Sequence, residues 1–94
     1  MTREYLRSDR HVYRCIAGEH LLIALHRDST EPMFALTVTA AEVWTALENW
    51  TTVEALAERL SERFDISVET ANTDVIEFLT QLEAIGALQH REAQ

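Results

Sequence analysis

The chain has 94 residues, which is enough for one small domain, and its 47% hydrophobic content indicates an ordered globular fold. The chain has eight basic residues, all of them arginine, and 16 acidic residues, so the formal net charge is -8. Residues 1–47 carry 5 Arg and 6 acidic side chains, whereas residues 48–94 carry 3 Arg and 10 acidic side chains. Because phosphate binding needs cations, this charge distribution argues against nucleic acid as a partner and favours a basic or neutral polypeptide.

The same composition bears on location and on redox chemistry. No segment approaches the ~20 apolar residues of a membrane span, and residues 1–10 are too charged for a signal peptide. We therefore expect a cytoplasmic protein without membrane association. Cys15 is the only cysteine, which excludes an intrachain disulfide and a cysteine-based zinc site, and we expect it to be a small buried residue on a strand.

Three short strands are predicted in the first half of the chain. Residues 12–17 and 20–27 are rich in β-branched and aliphatic side chains, and the step Gly18-Glu19 between them is typical of a hairpin. A polar turn over residues 27–32 leads to a third strand at residues 33–38, with a proline at its entrance, a position that edge strands tolerate. We expect an antiparallel sheet with one exposed edge.

Two helices are predicted from a repeated capping pattern. Thr39 with Glu42 forms a capping box before the apolar side chains of the first helix, and Thr51 with Glu54 repeats this box before the second helix. The first helix is expected to run to about residue 49. Asp65 interrupts the pattern of the second helix.

A third and longer helix is predicted from Ser67, which is a favourable N-cap residue, to the region of Gly86, which suits a left-handed C-cap. One apolar stripe follows this helix and is expected to face the core: Val68, Ala71, Val75, Phe78, Leu79, Leu82 and Ile85. The order of three strands and then three helices predicts an α+β domain over residues 11–90, with the helices on one side of the sheet. Residues 1–10 are expected to form a flexible arm.

A search for catalytic or metal-binding patterns gives little. The four histidines lack helical i, i+4 spacing, and His20 and His26, on one face of a strand, would lie roughly 20 Å apart. No serine lies in a nucleophile motif, and the two glycines are too far apart for a phosphate-binding loop. We therefore expect a non-catalytic protein with no metal and no cofactor.

Between residues 20 and 89 the chain resembles the PqqD family, whose members also serve as recognition elements in pathways that modify ribosomally made peptides. The resemblance is carried by positions spread in order along this span: Phe34, Leu36, Trp44, Leu47, Thr52, Leu56, Leu60, Phe64, Asp74, Val75, Phe78, Leu82 and Gly86. The chain departs from the family pattern at two places. Thr37 stands where asparagine is usual, and Asn49-Trp50 replaces a glycine.

This resemblance implies a winged helix-turn-helix domain that binds the leader of a precursor peptide as an added strand. The third strand would contribute one wall of the site, with Met33, Phe34, Ala35 and Leu36. The third helix would contribute the other wall through one of its two flanks. One flank has Asn72 and Ile76, and the opposite flank has Asp74, Phe78 and Gln81; the apolar Ile76, which lies off the core stripe, points to the first flank.

The resemblance also implies a partner enzyme that modifies the peptide, commonly a radical SAM protein. Since the chain has no iron–sulfur cysteine motif, that chemistry would be supplied by the partner. Two alternatives remain open from the sequence. One is a winged-helix DNA-binding regulator, which the acidic third helix disfavours. The other is a docking subunit that binds only the enzyme. In each case the chain is expected to be a monomer or a homodimer.

Overall fold

The computed structural model describes residues 2–25 and 33–93. The turn predicted over residues 27–32, and residues 26 and 27 of the predicted second strand, lie outside the described residues. The elements are, in chain order, β1 (Thr2–Arg7), β2 (His11–Ile16), β3 (Glu19–Ala24), β4 (Met33–Leu36), α1 (Val38–Ala46), α2 (Val53–Phe64), α3 (Val68–Ala84) and β5 (Leu88–Ala93).

The predicted three-stranded antiparallel sheet is confirmed, with the strand order β2-β3-β4. The loop between β2 and β3 consists of Ala17 and Gly18 rather than the predicted Gly18-Glu19. Both loop residues have positive φ, 52° and 82°, as a two-residue type I′ turn requires. Leu22 is paired with Tyr13 on one side and with Phe34 on the other, so it lies at the centre of the sheet.

The N-terminal segment differs from the predicted flexible arm. Thr2–Arg7 forms β1, which pairs antiparallel with Leu88–Ala93 in a separate two-stranded sheet. Ion pairs support this ribbon, since Arg3 Nε lies 2.9 Å from Glu92 Oε1 and Arg91 Nε lies 2.8 Å from Glu4 Oε1. The segment lacks an apolar pattern of its own, and its order comes from a partner strand at the other end of the chain. β5 also extends past residue 90, where the predicted domain ended.

Three helices follow the sheet as predicted, but two of their N-caps are shifted. The hydroxyl of Thr37 accepts a hydrogen bond from the Ala40 amide at 3.1 Å, so the N-cap of α1 lies two residues before the predicted cap at Thr39. In the same way α2 is capped by Thr52, which accepts from the Ala55 amide at 3.1 Å, and not by Thr51. The residue three positions after each observed cap is alanine, so these caps use the threonine hydroxyl alone and lack the glutamate of the predicted capping box.

The limits of α3 agree with the prediction. The hydroxyl of Ser67 accepts from the Thr70 amide at 3.1 Å, which confirms Ser67 as the N-cap. Gly86, just after the helix, has a φ of 74°, as expected for a left-handed C-cap position. The buried residues of α3 are the central members of the predicted stripe: Ala71, Val75, Phe78, Leu79 and Leu82.

The core lies between the inner face of the three-stranded sheet and the helices. Leu22 from the sheet, Trp44 and Leu47 from the α1 region, Leu60 from α2 and Val75 from α3 are all buried in one cluster. The prediction of a buried Cys15 is wrong, because this residue is exposed. Residues 14–16 at the end of β2 are all exposed, so this end of the hairpin is not covered by the helices. In the described ranges, no helix has the length and apolarity needed to cross a membrane.

Candidate functional site

β4 is an edge strand with an open side. In the order β2-β3-β4 it pairs with β3 alone, through Met33 to Leu36. Within residues 2–25 and 33–93 no strand pairs with its other side. Half of its backbone N–H and C=O groups therefore face away from the sheet, and an added strand can bind them.

A groove runs between β4 and α3 and contains two adjoining cavities. One has a volume of about 350 Å³ and the other about 340 Å³. Four residues line both cavities: Ala35 and Leu36 from β4, and Phe78 and Gln81 from α3. The cavities are thus two parts of one continuous groove, whose walls are the strand edge and a single flank of the helix.

The two cavities differ in chemistry. The first, which we call the acidic cavity, is lined on its helix side by Asp74 and Glu77 and on its other side by Thr37 and Thr39. The second, the apolar cavity, has walls of aliphatic and aromatic side chains together with Gln81: Leu22, Phe34, Leu36, Phe78, Leu82, Ala84 and Ile85. The groove therefore offers negative charge at one end and an apolar surface at the other.

The structure brings together most of the residues predicted for the strand wall. Phe34, Ala35 and Leu36 line the groove, and the first and third of these also pack against the core. Met33, at the start of β4, lines neither cavity and is 55% exposed. Its side chain alternates with that of Phe34 and so points to the opposite face of the sheet.

On α3 the structure distinguishes the two predicted flanks. Asp74, Phe78 and Gln81 line the groove, whereas Asn72 and Ile76 line neither cavity. Ile76 is 48% exposed on another part of the helix surface, so its apolar character does not mark the flank that faces this groove.

Several groove residues were not predicted from the sequence. On α3 and just after it these are Glu77, Ala84 and Ile85, and before and within α1 they are Thr37, Thr39 and Ala40. The spacing from Asp74 through Phe78 to Gln81 and Ile85 is three or four residues at each step, which is the spacing of one helix face. That periodicity could have extended the flank that faces the groove once Phe78 was assigned to it.

Among residues 2–25 and 33–93, no three His, Cys, Asp or Glu side chains come together in a way that could hold a metal ion. His20 instead contacts Tyr13, whose hydroxyl lies 2.5 Å from its Nδ1.

The three-stranded sheet, the three helices that follow it and the open edge of β4 define a winged-helix domain with a groove beside its edge strand. The family described as coenzyme PQQ synthesis protein D (PqqD) matches residues 19–88, and the chain belongs to this family. No curated protein of similar sequence was found.

Three solved structures share the fold. TbiB1 in complex with the TbiA(beta) leader peptide superposes with a TM-score of 0.73 at 24% identity, covering 95% of this chain and 99% of TbiB1. The PqqD truncation of PqqCD from Methylobacterium extorquens is described as a functional stand-alone RiPP recognition element. It superposes with a TM-score of 0.74 at 20% identity, covering 92% of this chain and 88% of the truncation. Lasso peptide synthetase B1, complexed with the leader peptide, superposes with a TM-score of 0.73 at 18% identity, covering 90% of this chain and 96% of the synthetase chain.

Proposed function

We propose that this protein is a non-catalytic recognition element that binds the leader of a ribosomally made precursor peptide and presents it to a separate modifying enzyme. The observation that carries this proposal is the open edge of β4 beside the groove along α3. A leader in an extended conformation would add a fourth strand to the sheet. Its main chain would bind β4, and alternate side chains would enter the two cavities.

The structural relatives support this proposal. Two of them are complexes with leader peptides, and the third is described as a stand-alone recognition element for such peptides. The shape of the groove is consistent with the same kind of ligand, because a strand edge provides sequence-independent hydrogen bonds and the cavities provide selectivity. The enzyme that modifies the peptide is a further part of the proposal, and a radical SAM protein in the cytoplasm is the partner that membership of the family favours.

A DNA-binding role is the less favoured function for this winged helix. α3 would be the recognition helix, and it has four acidic residues and no basic one: Glu69, Asp74, Glu77 and Glu83. A phosphate backbone would be repelled by this helix, since binding to DNA depends on neutralising phosphates with Lys or Arg. A leader peptide has no such requirement.

The proposal is tested by titrating isotope-labelled protein with the synthetic leader of a short precursor encoded beside its gene. We expect amide shifts in β4 and along the groove flank of α3. Substitution Gln81→Trp places a large ring in the part of the groove that both cavities share, and we expect it to weaken binding at least tenfold.

Thr80→Trp is the matched control, because Thr80 is exposed on the same helix and lines neither cavity. This variant should bind the leader as the wild type does. Shifts confined to other surfaces, or equal losses for both tryptophan variants, would argue against the groove as the binding site. Binding to a candidate enzyme without any binding to the leader would favour a docking subunit. The same samples show whether the protein is a monomer or a homodimer.

A further inference from the structure

We infer that the groove selects leaders in which a basic residue precedes a large apolar residue by two positions. This inference rests on the proposed function, and it names the class of peptide that the site accepts. The basic side chain would lie in the acidic cavity and the apolar side chain in the apolar cavity.

The charge of the groove is one-sided. Asp74 and Glu77 line the acidic cavity, and among residues 2–25 and 33–93 no Arg or Lys lines either cavity. Within the described part of the chain, neither carboxylate takes part in an ion pair, whereas Glu42, on another surface, is paired with both Arg59 and Arg63. Both groove carboxylates are thus available to a cation from a ligand. A basic peptide side chain is the complement, and an acidic one would be repelled.

The spacing of the two cavities matches one step of an extended peptide. On the helix side the acidic cavity spans Asp74 to Gln81 and the apolar cavity spans Phe78 to Ile85, so the second span is displaced by four residues. Four residues of α-helix rise about 6 Å. In a strand, side chains on the same face recur every second residue, at about 6.6 Å. Residues i and i+2 of a bound peptide therefore fit the two cavities together.

The direction of the peptide follows from the sheet. β2, β3 and β4 are all antiparallel to their neighbours, and an antiparallel fourth strand would continue this pattern. The acidic cavity lies towards the C-terminal end of β4, where Leu36 leads through Thr37 into α1, and the apolar cavity lies towards Phe34. An antiparallel peptide enters at the acidic cavity with its N-terminal side. The basic residue consequently comes first and the apolar residue second.

The experiment is a selection from a displayed library of random 12-residue peptides on the immobilised full chain, repeated with the double variant Asp74→Asn/Glu77→Gln. Peptides that bind the wild type and shift β4 amides in solution are aligned. We expect enrichment of Lys or Arg at one position and of Leu, Ile or Phe two positions later. The enrichment of the basic residue should disappear with the double variant, while that of the apolar residue should remain.

Affinities of one selected peptide complete the test. Replacing its basic residue by Gln should weaken binding to the wild type roughly twofold to fivefold, as expected for partly exposed ion pairs, and have little effect with the double variant. Glu69→Gln/Glu83→Gln is the control for general charge, because neither residue lines the groove, and it should retain the basic preference.

The outcomes separate the inference from the proposed function. Binders that shift β4 but show no basic residue, or show it after the apolar one, overturn the inference and leave the proposed function intact. Failure to select any peptide that shifts β4 overturns the proposed function, and the inference falls with it.

Discussion

The guanidinium of Arg91 lies over the ring of Trp50, with its Cζ atom 4.2 Å from the ring centroid. The same side chain pairs with Glu4 across the two-stranded ribbon. One arginine on β5 thus links both termini of the chain to the segment between α1 and α2. The contact at Tyr5 has the same effect, since its N–H donates to the carbonyl of Thr51 at 2.7 Å and its carbonyl accepts from the Thr51 N–H at 3.0 Å.

Substitution Arg91→Ala should loosen the ribbon selectively. It removes the contact with Trp50 and the pair with Glu4, and for an exposed cation over an aromatic ring together with an exposed ion pair we expect a loss of about 1 kcal/mol of unfolding free energy. Amide hydrogen exchange should accelerate in β1 and β5 more than in β3. Arg3→Ala is the control, because Arg3 pairs with Glu92 across the same ribbon, whereas the contact with the Trp50 ring belongs to Arg91, and it should have a smaller effect. Equal effects would contradict a role for Trp50.

The ribbon also shows which parts of the fold the sequence could predict. β2, β3 and the three helices have local signals, namely alternating or helical apolar periodicity and capping residues, and these gave the α+β class and the order of elements. β1 and β5 have exposed and charged residues, and their pairing joins Thr2 to Ala93. Such long-range pairing leaves no local pattern, so the sequence analysis assigned no structure to the first strand.

Replacement of the α2 cap distinguishes two neighbouring threonines. Thr52→Ala removes the hydroxyl that accepts from the Ala55 amide, and we expect a loss of about 1 kcal/mol, or roughly 4–8 °C in Tm for a domain of this size. Thr51→Ala keeps the backbone hydrogen bonds to Tyr5 and should change stability by less than about 0.5 kcal/mol. Thermal denaturation of both variants decides between the two caps. A larger loss of stability for Thr51→Ala than for Thr52→Ala would identify Thr51 as the cap, as the sequence pattern predicted.

The two faces of α3 can be compared with adjacent apolar residues. Leu79 is 3% exposed in the core, and Leu79→Ala should cost about 2–5 kcal/mol because it removes buried contacts and leaves a cavity. Ile76→Ala should cost less than about 0.5 kcal/mol, since Ile76 is largely solvent-exposed. Denaturant unfolding gives both values. Ile76→Ala should also leave leader binding unchanged, and a loss of binding in this variant would return the site to the flank that has Asn72.

The flank of α3 that faces the groove was difficult to choose from the sequence for a physical reason. A binding groove next to a core is lined partly by core residues, and Phe78 belongs to both. An apolar residue outside the core stripe, such as Ile76, is therefore a weaker indicator of a groove than the boundary of the stripe itself. The direction in which the sheet edge lies relative to the helix decides the flank, and that relation is a property of the tertiary structure.

The size of the apolar cavity should determine which side chain the leader presents to it. Ala84 is exposed and lines this cavity, so Ala84→Leu fills part of its space without disturbing buried residues. With the wild type, a leader with Leu at the apolar position should bind better than one with Ala, by up to roughly 2 kcal/mol if the side chain is fully buried. The variant should reduce or reverse this preference, because the larger side chain no longer fits.

Glu83→Leu adds a similar side chain one residue away, outside the groove, and should retain the wild-type preference. Fluorescence anisotropy gives the affinity of each of the three proteins for each of the two leader peptides. An unchanged preference in Ala84→Leu would show that the apolar side chain binds elsewhere.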